Sequence, residues 1–400
     1  MAALRSAPKF DRYRSCPQAA AVTLLRNAWS ERNLSGPGQY GDAVADLALL
    51  VSDLQRLVEV ESPSLDVEAL TRSAENLAAL IAERTGRSAT IVPGATGPHV
   101  HWSGGGEPRV LILGHHDTVF PVGALAERPF TIANGKATGP GVFDMKAGIV
   151  QAMHAVGSLD DATGVEMLFT ADEEVGSEHS RALLEQRAQA CGNVLVLEPS
   201  ADGGAVKTGR KGTGTFEVIV RGRASHAGLE PEKGVNSLIE ASRQVLRIAE
   251  FGDGAAGTTV TPTVARAGTA DNVVPAETRI KVDVRVTNTA EKDRIERLMS
   301  ELTTVDPKAT VEAVGGVGRP PMPESASAAL LPLAKAAMPG IVGVAVGGGS
   351  DGNFTAALGV PTLDGLGAVG GGAHADHEFV IVNTMPERVE LVAGILRMLL

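Results

Sequence analysis

The stretch VLILGHHDTV, residues 110–119, decides how the rest of the sequence is interpreted. Four consecutive apolar residues at 110–113 are typical of a strand that is buried on both faces. His115 and Asp117 follow two positions apart, so both side chains point to the same side of an extended backbone. Open α/β sheets bind ligands at the carboxyl ends of such strands. The stretch therefore predicts a parallel sheet with polar chemistry at one edge.

Similar patterns recur along the chain. Apolar runs at 167–170 and 194–197 predict two further buried strands, and helical spacing of apolar residues occurs at 43–60, 66–84 and 147–159. This alternation predicts an α/β class, with a mostly parallel sheet flanked by helices.

The middle of the sequence predicts a different, second sheet. Residues 216–220 and 279–286 alternate apolar with polar, as strands do when one face meets water. The predicted elements follow the order of a ferredoxin-like β-α-β-β-α-β unit. We therefore expect an inserted domain within a larger one, and the predicted boundaries are a variable extension at 1–40, the larger domain at 41–207 and 317–400, and the insert at 208–316.

Composition excludes several functions. Acidic residues outnumber Lys and Arg by 47 to 36, a net charge of −11, which argues against nucleic acid or an anionic membrane as the main partner. No apolar run reaches the roughly 20 residues of a membrane span, and the expected location is the cytoplasm. Cys16 and Cys191 are the two cysteines, so any metal must be held by His and carboxylates.

Acidic residues stand where two of the predicted strands end. Asp172, Glu173 and Glu174 follow one apolar run directly, and Glu198 follows another. Like charges placed so closely repel unless cations or raised pKa values relieve them. The acids therefore indicate a metal site, and the alternative is a solvated turn.

Two glycine-rich loops add further ligand types. Asp144 lies in the loop at 139–148, and His374 follows three glycines at 370–372. Alone, Asp144 would be interpreted as a helix N-cap, and His115 as a loop histidine. Taken together, two histidines and several carboxylates suit a pair of zinc ions that share one carboxylate and one water, and cobalt or manganese would also fit.

The order of these motifs resembles the family of two-zinc peptidases that includes aminoacylase, acetylornithine deacetylase, succinyl-diaminopimelate desuccinylase and glutamate carboxypeptidases of the carboxypeptidase G type. The motifs that match in order are residues 114–119, 139–144, 172–174, 198–199 and 225–228, then His374 with Glu378. The resemblance covers nearly the whole chain. It implies that the larger domain is catalytic and that the insert is a dimerisation (lid) domain, so a homodimer is expected.

The resemblance also implies a set of metal ligands. His115, Asp144 and Glu198 would hold one metal ion, while Asp144, Glu174 and His374 would hold the other. Asp144 would then bridge the two ions.

The resemblance implies roles for other residues as well. Glu173 would be the general base, Asp117 would orient His115, and His226 would reach the substrate oxyanion from a partner subunit. A proton-shuttling carboxylate needs to lie beside the metals without being held by them, which suits Glu173.

Asn272 and Arg285 look like the substrate-binding pair of the family. Arg285 suits a bidentate hold on a free carboxylate. The loop at 347–353, which contains Gly349, resembles the loop that lines the substrate pocket.

Other residues receive more ordinary interpretations. His116 points away from His115 and is expected to be a structural histidine, and His377 is expected to lie off the metals. The peptide bond after Asp144 is expected to be cis, as in the family. Lys207, Arg210 and Lys211 would favour an acidic substrate or form a solvated basic turn, and the sequence leaves both interpretations open.

The sequence therefore predicts a metal-dependent hydrolase that cleaves an amide bond beside a free carboxylate, most like a glutamate carboxypeptidase. Its substrate would be a small peptide or an N-acyl amino acid. One alternative is an N-acyl-amino-acid deacylase of the acetylornithine deacetylase or aminoacylase kind. Another is a catalytically silent relative that binds peptides or metals.

Overall fold

The computed structural model describes residues 45–400, so the predicted extension at 1–40 lies outside the described residues. The α-helices of this part are α1 (Leu47–Val58), α2 (Val67–Thr85), α3 (Ala124–Glu127), α4 (Ala147–Gly157), α5 (Arg181–Cys191), α6 (Ser237–Ala249), α7 (Thr289–Ser300), α8 (Leu331–Ala337), α9 (Gly352–Ala357) and α10 (Met385–Leu399). Within residues 45–400, none of these helices is both long and apolar enough to cross a membrane.

The strands are β1 (Thr90–Val92), β2 (His99–Ser103), β3 (Val110–His115), β4 (Thr131–Ala133), β5 (Lys136–Thr138), β6 (Val165–Thr170), β7 (Val194–Val196), β8 (Val206–Arg210), β9 (Gly212–Arg221), β10 (Thr259–Ala267), β11 (Glu277–Val286), β12 (Thr310–Arg319), β13 (Gly343–Val346), β14 (Thr362–Leu363), β15 (Gly370–Gly371) and β16 (Phe379–Ile381).

A six-stranded central sheet has the order β1-β2-β6-β3-β7-β14. β3 pairs in parallel with β6 and β7, and β14 pairs in parallel with β7. β1 and β2 form an antiparallel edge beside β6. The predicted α/β class with a mostly parallel sheet is confirmed.

Helices cover both faces of this sheet. Val110 and Ile112 belong to the apolar cluster shared with α1, α2, α4 and α10, while Leu111 and Leu113 belong to a second cluster with α5 and α9. Alternate residues of one strand thus enter opposite cores. Each such fully buried Leu or Ile side chain contributes about 1.5–3 kcal/mol, which explains why residues 110–113 are apolar without interruption.

Local signals explain where α2 begins and ends. The Asp66 carboxylate accepts the main-chain N–H of Ala69 and caps the first turn. Gly86 ends the helix in the left-handed conformation, with φ of 69°. The prediction of a helix at 66–84 is therefore confirmed to within a residue.

The middle of the chain forms a separate antiparallel sheet with the order β10-β11-β9-β12. Ile280, Val282 and Val284 of β11 point into a core of their own with α6 and α7, and Arg279 and Lys281 between them face water. The order of elements agrees with the predicted β-α-β-β-α-β unit. The exact domain boundaries and the role in dimerisation stay predictions.

A small sheet with the order β15-β16-β5-β4 connects two loops that carry predicted ligands. β5 leads into the loop with Asp144, and the turn between β15 and β16 carries His374. β5 and β16 are antiparallel, with Thr138 opposite Phe379. The two loops therefore lie next to each other.

Candidate metal centre

The carboxyl ends of the central strands bring the five predicted metal ligands together. His115 is the last residue of β3, Glu174 lies in the short turn after β6, and Glu198 follows β7. Because these three strands are parallel, their ends meet at one edge of the sheet. Asp144 and His374 reach the same place from the two neighbouring loops.

The Asp144 carboxylate lies between the two histidines. Its Oδ1 is 3.3 Å from His115 Nε2, and its Oδ2 is 3.3 Å from His374 Nε2. Glu198 Oε1 lies 3.5 Å from His115 Nε2, and Glu174 Oε2 lies 3.0 Å from His374 Nε2. The cluster therefore has two halves with one shared carboxylate.

The chemistry of this cluster fits divalent metal ions. Asp144 Oδ1 and Glu174 Oε1 are buried and have no hydrogen-bond partner among the described residues. Ligand atoms of His115, Glu173 and Glu198 lie within 4.8 Å of one another, and the same holds for His115, Asp144 and Glu174. Buried oxygens without donors cost free energy unless a cation binds them. Oxygen and imidazole donors without thiolates suit zinc, cobalt or manganese.

The pKa values of the cluster reflect the same crowding. Burial raises the pKa of Glu174 above its usual value, although His374 opposes the shift. Hydrogen bonds to Asp144 and Glu174 raise the pKa of His374 to about 10. Burial lowers the pKa of His115, but the Asp117, Asp144 and Glu198 carboxylates outweigh burial and raise it well above its usual value. The carboxylates thus favour the protonated, positively charged forms of His115 and His374.

Asp117 contacts His115 on the side away from Asp144. Its Oδ1 lies 3.4 Å from His115 Nδ1, and its main-chain carbonyl oxygen lies 3.0 Å from the same nitrogen. The carboxylate also accepts the N–H groups of Glu173 and Glu174, and the Ser64 hydroxyl donates to it at 2.8 Å. Asp117 therefore fixes both the imidazole and the acidic turn after β6.

Glu173 lies beside the first half of the cluster. Its side chain is buried, and its Oε1 accepts a hydrogen bond from Arg319 Nη1 at 2.6 Å. Burial raises the pKa of Glu173 well above its usual value, against the opposing effect of Arg319. No histidine forms an ion pair with Glu173 within residues 45–400, in contrast to its neighbour Glu174.

A cavity of about 480 Å³ opens onto the cluster. One wall consists of the carboxylates and His374, and the other wall comes from strands of the middle sheet and from the loop at 347–353. Arg285 and Gly349, two of the residues predicted to bind the substrate, line this cavity, and their role in binding stays a prediction. Arg285 holds both oxygens of Asp283, at 3.0 and 2.9 Å.

His226 and Asn272, which the sequence predicted to act on the substrate, do not line this cavity in the described chain. Both are exposed, and they lie next to each other because the Ala227 N–H donates to the Asn272 carbonyl oxygen at 2.8 Å. His226 Nδ1 accepts the N–H groups of Gly228 and Leu229. Neither side chain is among the residues that line the cavity in this chain. The action of His226 from a partner subunit stays a prediction.

Sequence reasoning missed Arg319. This side chain ends β12 and binds the Glu173 carboxylate, the Glu173 carbonyl oxygen at 2.5 Å and the Ser177 hydroxyl at 2.9 Å. Asp351 Oδ1 lies 3.5 Å from the same Nη2 atom that contacts Ser177. Arg319 and Glu173 are 146 positions apart, and the predicted end of the insert at 316 left Arg319 outside the strand that it ends. No local pattern could have revealed the contact.

The solvated-turn interpretation is wrong for Arg210. Its side chain is buried, and it donates to both oxygens of Asp364 at 2.6 and 3.0 Å. It also donates to the carbonyl oxygens of Gly348 and Gly349, and it lies 3.5 Å from Glu198. An arginine with an acidic partner 154 positions away cannot be distinguished from a surface arginine by its neighbours in sequence.

The remaining expectations concern residues near the ligands. His116 is buried, and its ring nitrogens contact the Ser73 hydroxyl at 3.1 Å and the Pro98 carbonyl oxygen at 2.9 Å, which confirms a structural histidine. His377 is exposed and lies outside both groups of metal-ligating atoms in the described part of the chain. The peptide bond between Asp144 and Met145 is cis, as expected.

This arrangement defines a class before any comparison is made. A cluster of histidines and carboxylates with a shared Asp, set at the carboxyl edge of a mostly parallel sheet and open to a cavity, is a candidate centre for metal-dependent hydrolysis.

Comparisons with known proteins agree with this class. The profile of Peptidase family M20/M25/M40 matches residues 111–398. Carboxypeptidase G2 from a Pseudomonas species is 31% identical over 369 residues, which cover 87% of this chain and 88% of that protein. Succinyl-diaminopimelate desuccinylase 2 of Shewanella loihica is 30% identical over 201 residues, which cover 44% of this chain and 53% of that protein.

Solved structures share the fold. Aminopeptidase PepT from Bacillus cereus superimposes with a TM-score of 0.71 at 21% identity and covers 89% of this chain and 100% of its own. The YXEP protein of Bacillus subtilis, described as a dinuclear metal binding peptidase from the M20 family, superimposes with a TM-score of 0.62 at 16% identity and covers 88% of this chain and 99% of its own.

The chain therefore belongs to peptidase family M20/M25/M40, whose members are metallopeptidases and related amidohydrolases. The resemblance stated from the sequence motifs is confirmed.

Proposed function

We propose that this protein is a carboxypeptidase that cleaves the amide bond beside a free carboxylate, most like a glutamate carboxypeptidase. The observation that carries the proposal is a single cavity that is lined both by a cluster of metal-ligating side chains and by two arginines, Arg285 of the middle sheet and Arg319, which binds Glu173. Carboxypeptidase G2 is similar over most of both chains, which supports this branch of the family.

In this proposal the cluster holds two divalent metal ions, with zinc the best suited. His115, Asp144 and Glu198 would hold one ion, and Asp144, Glu174 and His374 the other. Two such ions, when bound, would polarise the scissile carbonyl and make a water molecule nucleophilic near neutral pH. Asp144 Oδ1 and Glu174 Oε1 support this assignment, because both are buried and neither takes part in a hydrogen bond among the described residues.

Glu173 would move the proton in the reaction. It would accept a proton from the attacking water and deliver it to the departing amide nitrogen. Its position supports this role. The Glu173 carboxylate reaches the cavity and lies within 4.8 Å of ligand atoms of His115 and Glu198. Among the described residues it forms no ion pair with either histidine of the cluster. Asp117 would keep His115 oriented.

The opposite wall would recognise the substrate. Arg285 is the residue we assign to the free carboxylate, since a guanidinium group binds carboxylates in a bidentate manner. In the free protein its partner is Asp283, so the substrate carboxylate would compete with Asp283 for it. The loop with Gly349 would shape the space next to the scissile bond.

The protein would act as a homodimer. Leu238, Ile239 and Leu246 of α6 are 46%, 54% and 70% exposed, and Leu229 is 76% exposed. Exposed apolar side chains on α6 and in the loop between β9 and α6 favour contact with a second copy. His226, exposed on the same part of the chain, would then reach the substrate oxyanion bound in the partner subunit.

A deacylase is the second candidate, because succinyl-diaminopimelate desuccinylases are about 30% identical over roughly half of this chain. Both reactions would use the same metal-ligating cluster, and they would differ in the substrate that the cavity binds, a peptide or an N-acyl amino acid. A silent relative is disfavoured, since the proposed proton shuttle Glu173 is present.

An assay panel separates these functions. The purified protein, loaded with zinc, is offered peptides and N-acyl amino acids, and release of C-terminal glutamate is compared with release of acetate or succinate. We expect glutamate release to be fastest. Faster release of succinate or acetate would favour the deacylase, and no turnover by a protein that holds two metal ions would favour the silent relative.

A further inference from the structure

Glu378 accepts three hydrogen bonds from the loop that carries Asp144. Its Oε1 accepts the N–H groups of Phe143 at 2.7 Å and Asp144 at 2.8 Å, and its Oε2 accepts the N–H of Gly141 at 3.1 Å. The side chain is buried, with 1% of the residue exposed. Glu378 forms no ion pair within residues 45–400. Its hydrogen bonds there all come from main-chain N–H groups.

The small sheet explains how Glu378 reaches this loop. Glu378 directly precedes β16, and Phe379 lies opposite Thr138 of β5. Gly141, which donates to the Glu378 carboxylate, therefore comes only three residues after Thr138, the last residue of β5. His374 lies four residues before Glu378, in the same turn. One carboxylate thus connects the segment with His374 to the segment with Asp144.

The two halves of the cluster differ in how firmly they are supported. His115 and Glu198 stand at the ends of β3 and β7 in the middle of the central sheet, and both residues are buried. The His374 side chain is 52% exposed and comes from a turn in a small sheet, and Asp144 comes from a loop. The half with Asp144 and His374 therefore depends on contacts between loops.

We propose that Glu378 is a positioning residue that sets Asp144 relative to His374 and thereby determines the affinity of the second metal ion. This inference rests on the proposed function, because it requires two metal ions at the cluster. Without Glu378, three N–H groups lose their acceptor and the Asp144 loop separates from the His374 turn. His115 and Glu198 keep their places, so the first metal ion keeps two of its three proposed ligands and is retained, whereas the second ion loses the alignment of Asp144 with His374.

The test measures metal binding directly. Zinc content per chain is determined by elemental analysis, and stepwise affinities are measured by competition with a chromophoric chelator. For Glu378→Ala we expect one tightly bound ion per chain and an affinity for the second ion that is about 10- to 100-fold weaker, as is typical when contacts that orient a ligand are removed. For Glu378→Gln we expect a smaller loss, because one oxygen can still accept two of the three N–H groups.

Turnover gives a second readout. With limiting zinc, kcat of Glu378→Ala should fall while KM changes little, and added zinc should restore kcat. A purely structural role would lower the folded fraction without this dependence on zinc concentration.

Glu240 offers a matched control. It is also buried, and it accepts the N–H groups of Val305 at 2.9 Å and Asp306 at 3.0 Å, but it lies on helix α6 and is not among the residues that line the cavity. Glu240→Gln should lower thermal stability and leave both zinc affinities unchanged. Should Glu378→Ala fail to fold, Glu378→Gln still provides the comparison with Glu240→Gln.

The outcomes separate the inference from the proposed function. Fewer than two zinc ions in the unaltered protein would overturn the proposed function. Two ions in the unaltered protein, with an unchanged second affinity in both Glu378 variants, would overturn the role of Glu378 alone. Equal weakening of both ions would also overturn it, since the inference requires selective loss.

Discussion

The cluster around Asp144 and the cluster around Asp53 both bury carboxylates against histidine, but they balance charge differently. The Asp53 carboxylate accepts hydrogen bonds from Arg84 at 2.5 and 2.7 Å, contacts His154 at 2.8 Å and lies 3.9 Å from Arg56, so one acid meets three basic groups. Asp144 and Glu174 have histidines as their basic neighbours within 4 Å in the described part of the chain, and each keeps a buried oxygen without a hydrogen bond.

This difference separates a structural cluster, around Asp53, from the proposed metal site around Asp144. A carboxylate whose oxygens are all occupied by protein donors has no capacity left for a metal ion. A group of acids with unoccupied oxygens reduces the stability of the fold unless a cation binds there. Burial and the presence of histidine do not distinguish the two clusters, whereas the partners of each oxygen do.

The largest expected effect comes from Glu173→Gln. The amide cannot accept the proton from water, so kcat should fall by about 10²- to 10⁴-fold, the usual contribution of a general base. Metal content should stay at two ions, because Glu173 is not a proposed ligand. Steady-state kinetics with elemental analysis measures both. The matched Asp53→Asn variant should keep its turnover at temperatures where it is folded, and full activity of Glu173→Gln would contradict the assigned role.

Glu174→Gln tests whether the buried Glu174 Oε1, which has no hydrogen-bond partner among the described residues, is kept free for a metal ion. Since a proposed ligand is lost, affinity for the second ion should weaken by more than the roughly 10- to 100-fold effect of outer contacts. In the metal-free protein the same change should raise the free energy of unfolding by about 1 kcal/mol, because the neutral amide removes a buried negative charge that burial and Asp144 disfavour. Chelator competition and urea unfolding measure these effects. A lower stability of the metal-free variant would show that Glu174 is already satisfied.

Asp53→Ala should have the opposite effect on stability. The change leaves Arg84 and His154 without their shared acid, and breaking a buried pair costs about 3 kcal/mol. Metal content should not change. Urea unfolding of the metal-free protein, followed by circular dichroism, is the measurement. If the free energy of unfolding fell by less than about 0.5 kcal/mol, the Asp53 cluster would contribute no more to stability than an exposed ion pair does.

The smallest effect concerns acid pH. Burial raises the pKa of Asp53, but hydrogen bonds from Arg84 and His154 outweigh it and hold the pKa below the ordinary 3.8. A carboxylate whose pKa is lower in the folded state stabilises the fold above its unfolded pKa, and this contribution is lost as pH falls through the folded value. The stability difference between the metal-free protein and Asp53→Asn should therefore be constant above about pH 5 and shrink below about pH 4. Thermal unfolding across this range tests the sign, and a difference that grows on acidification would reverse it.

Much of the fold could be predicted because its signals are local. The apolar run at 110–113 has to be buried on both faces, and the alternation of Ile280 and Val282 with Arg279 and Lys281 has to leave one face in water. The proposed ligands could be located in the same way, since each of them follows a strand or lies in or just after a glycine-rich loop.

The contacts that support the site could not be predicted. Glu378 and Phe143 are separated by 235 positions, and Arg319 and Glu173 by 146, so their pairing exists only in the folded chain. The predicted role of His226 depends on a second subunit, which a single chain does not contain. Long-range partners are decided by tertiary packing, and a sequence pattern carries no record of them.

The late position of β14 and α10 in the chain has a consequence for synthesis on the ribosome. β14 pairs with β7 at the edge of the central sheet, and the buried residues of α10 complete its core. A nascent chain that ends before residue 362 can already fold the middle sheet, whose strands all lie before residue 320. It still exposes the unpaired edge of β7 and an apolar surface, which is the state in which large proteins aggregate and chaperones bind.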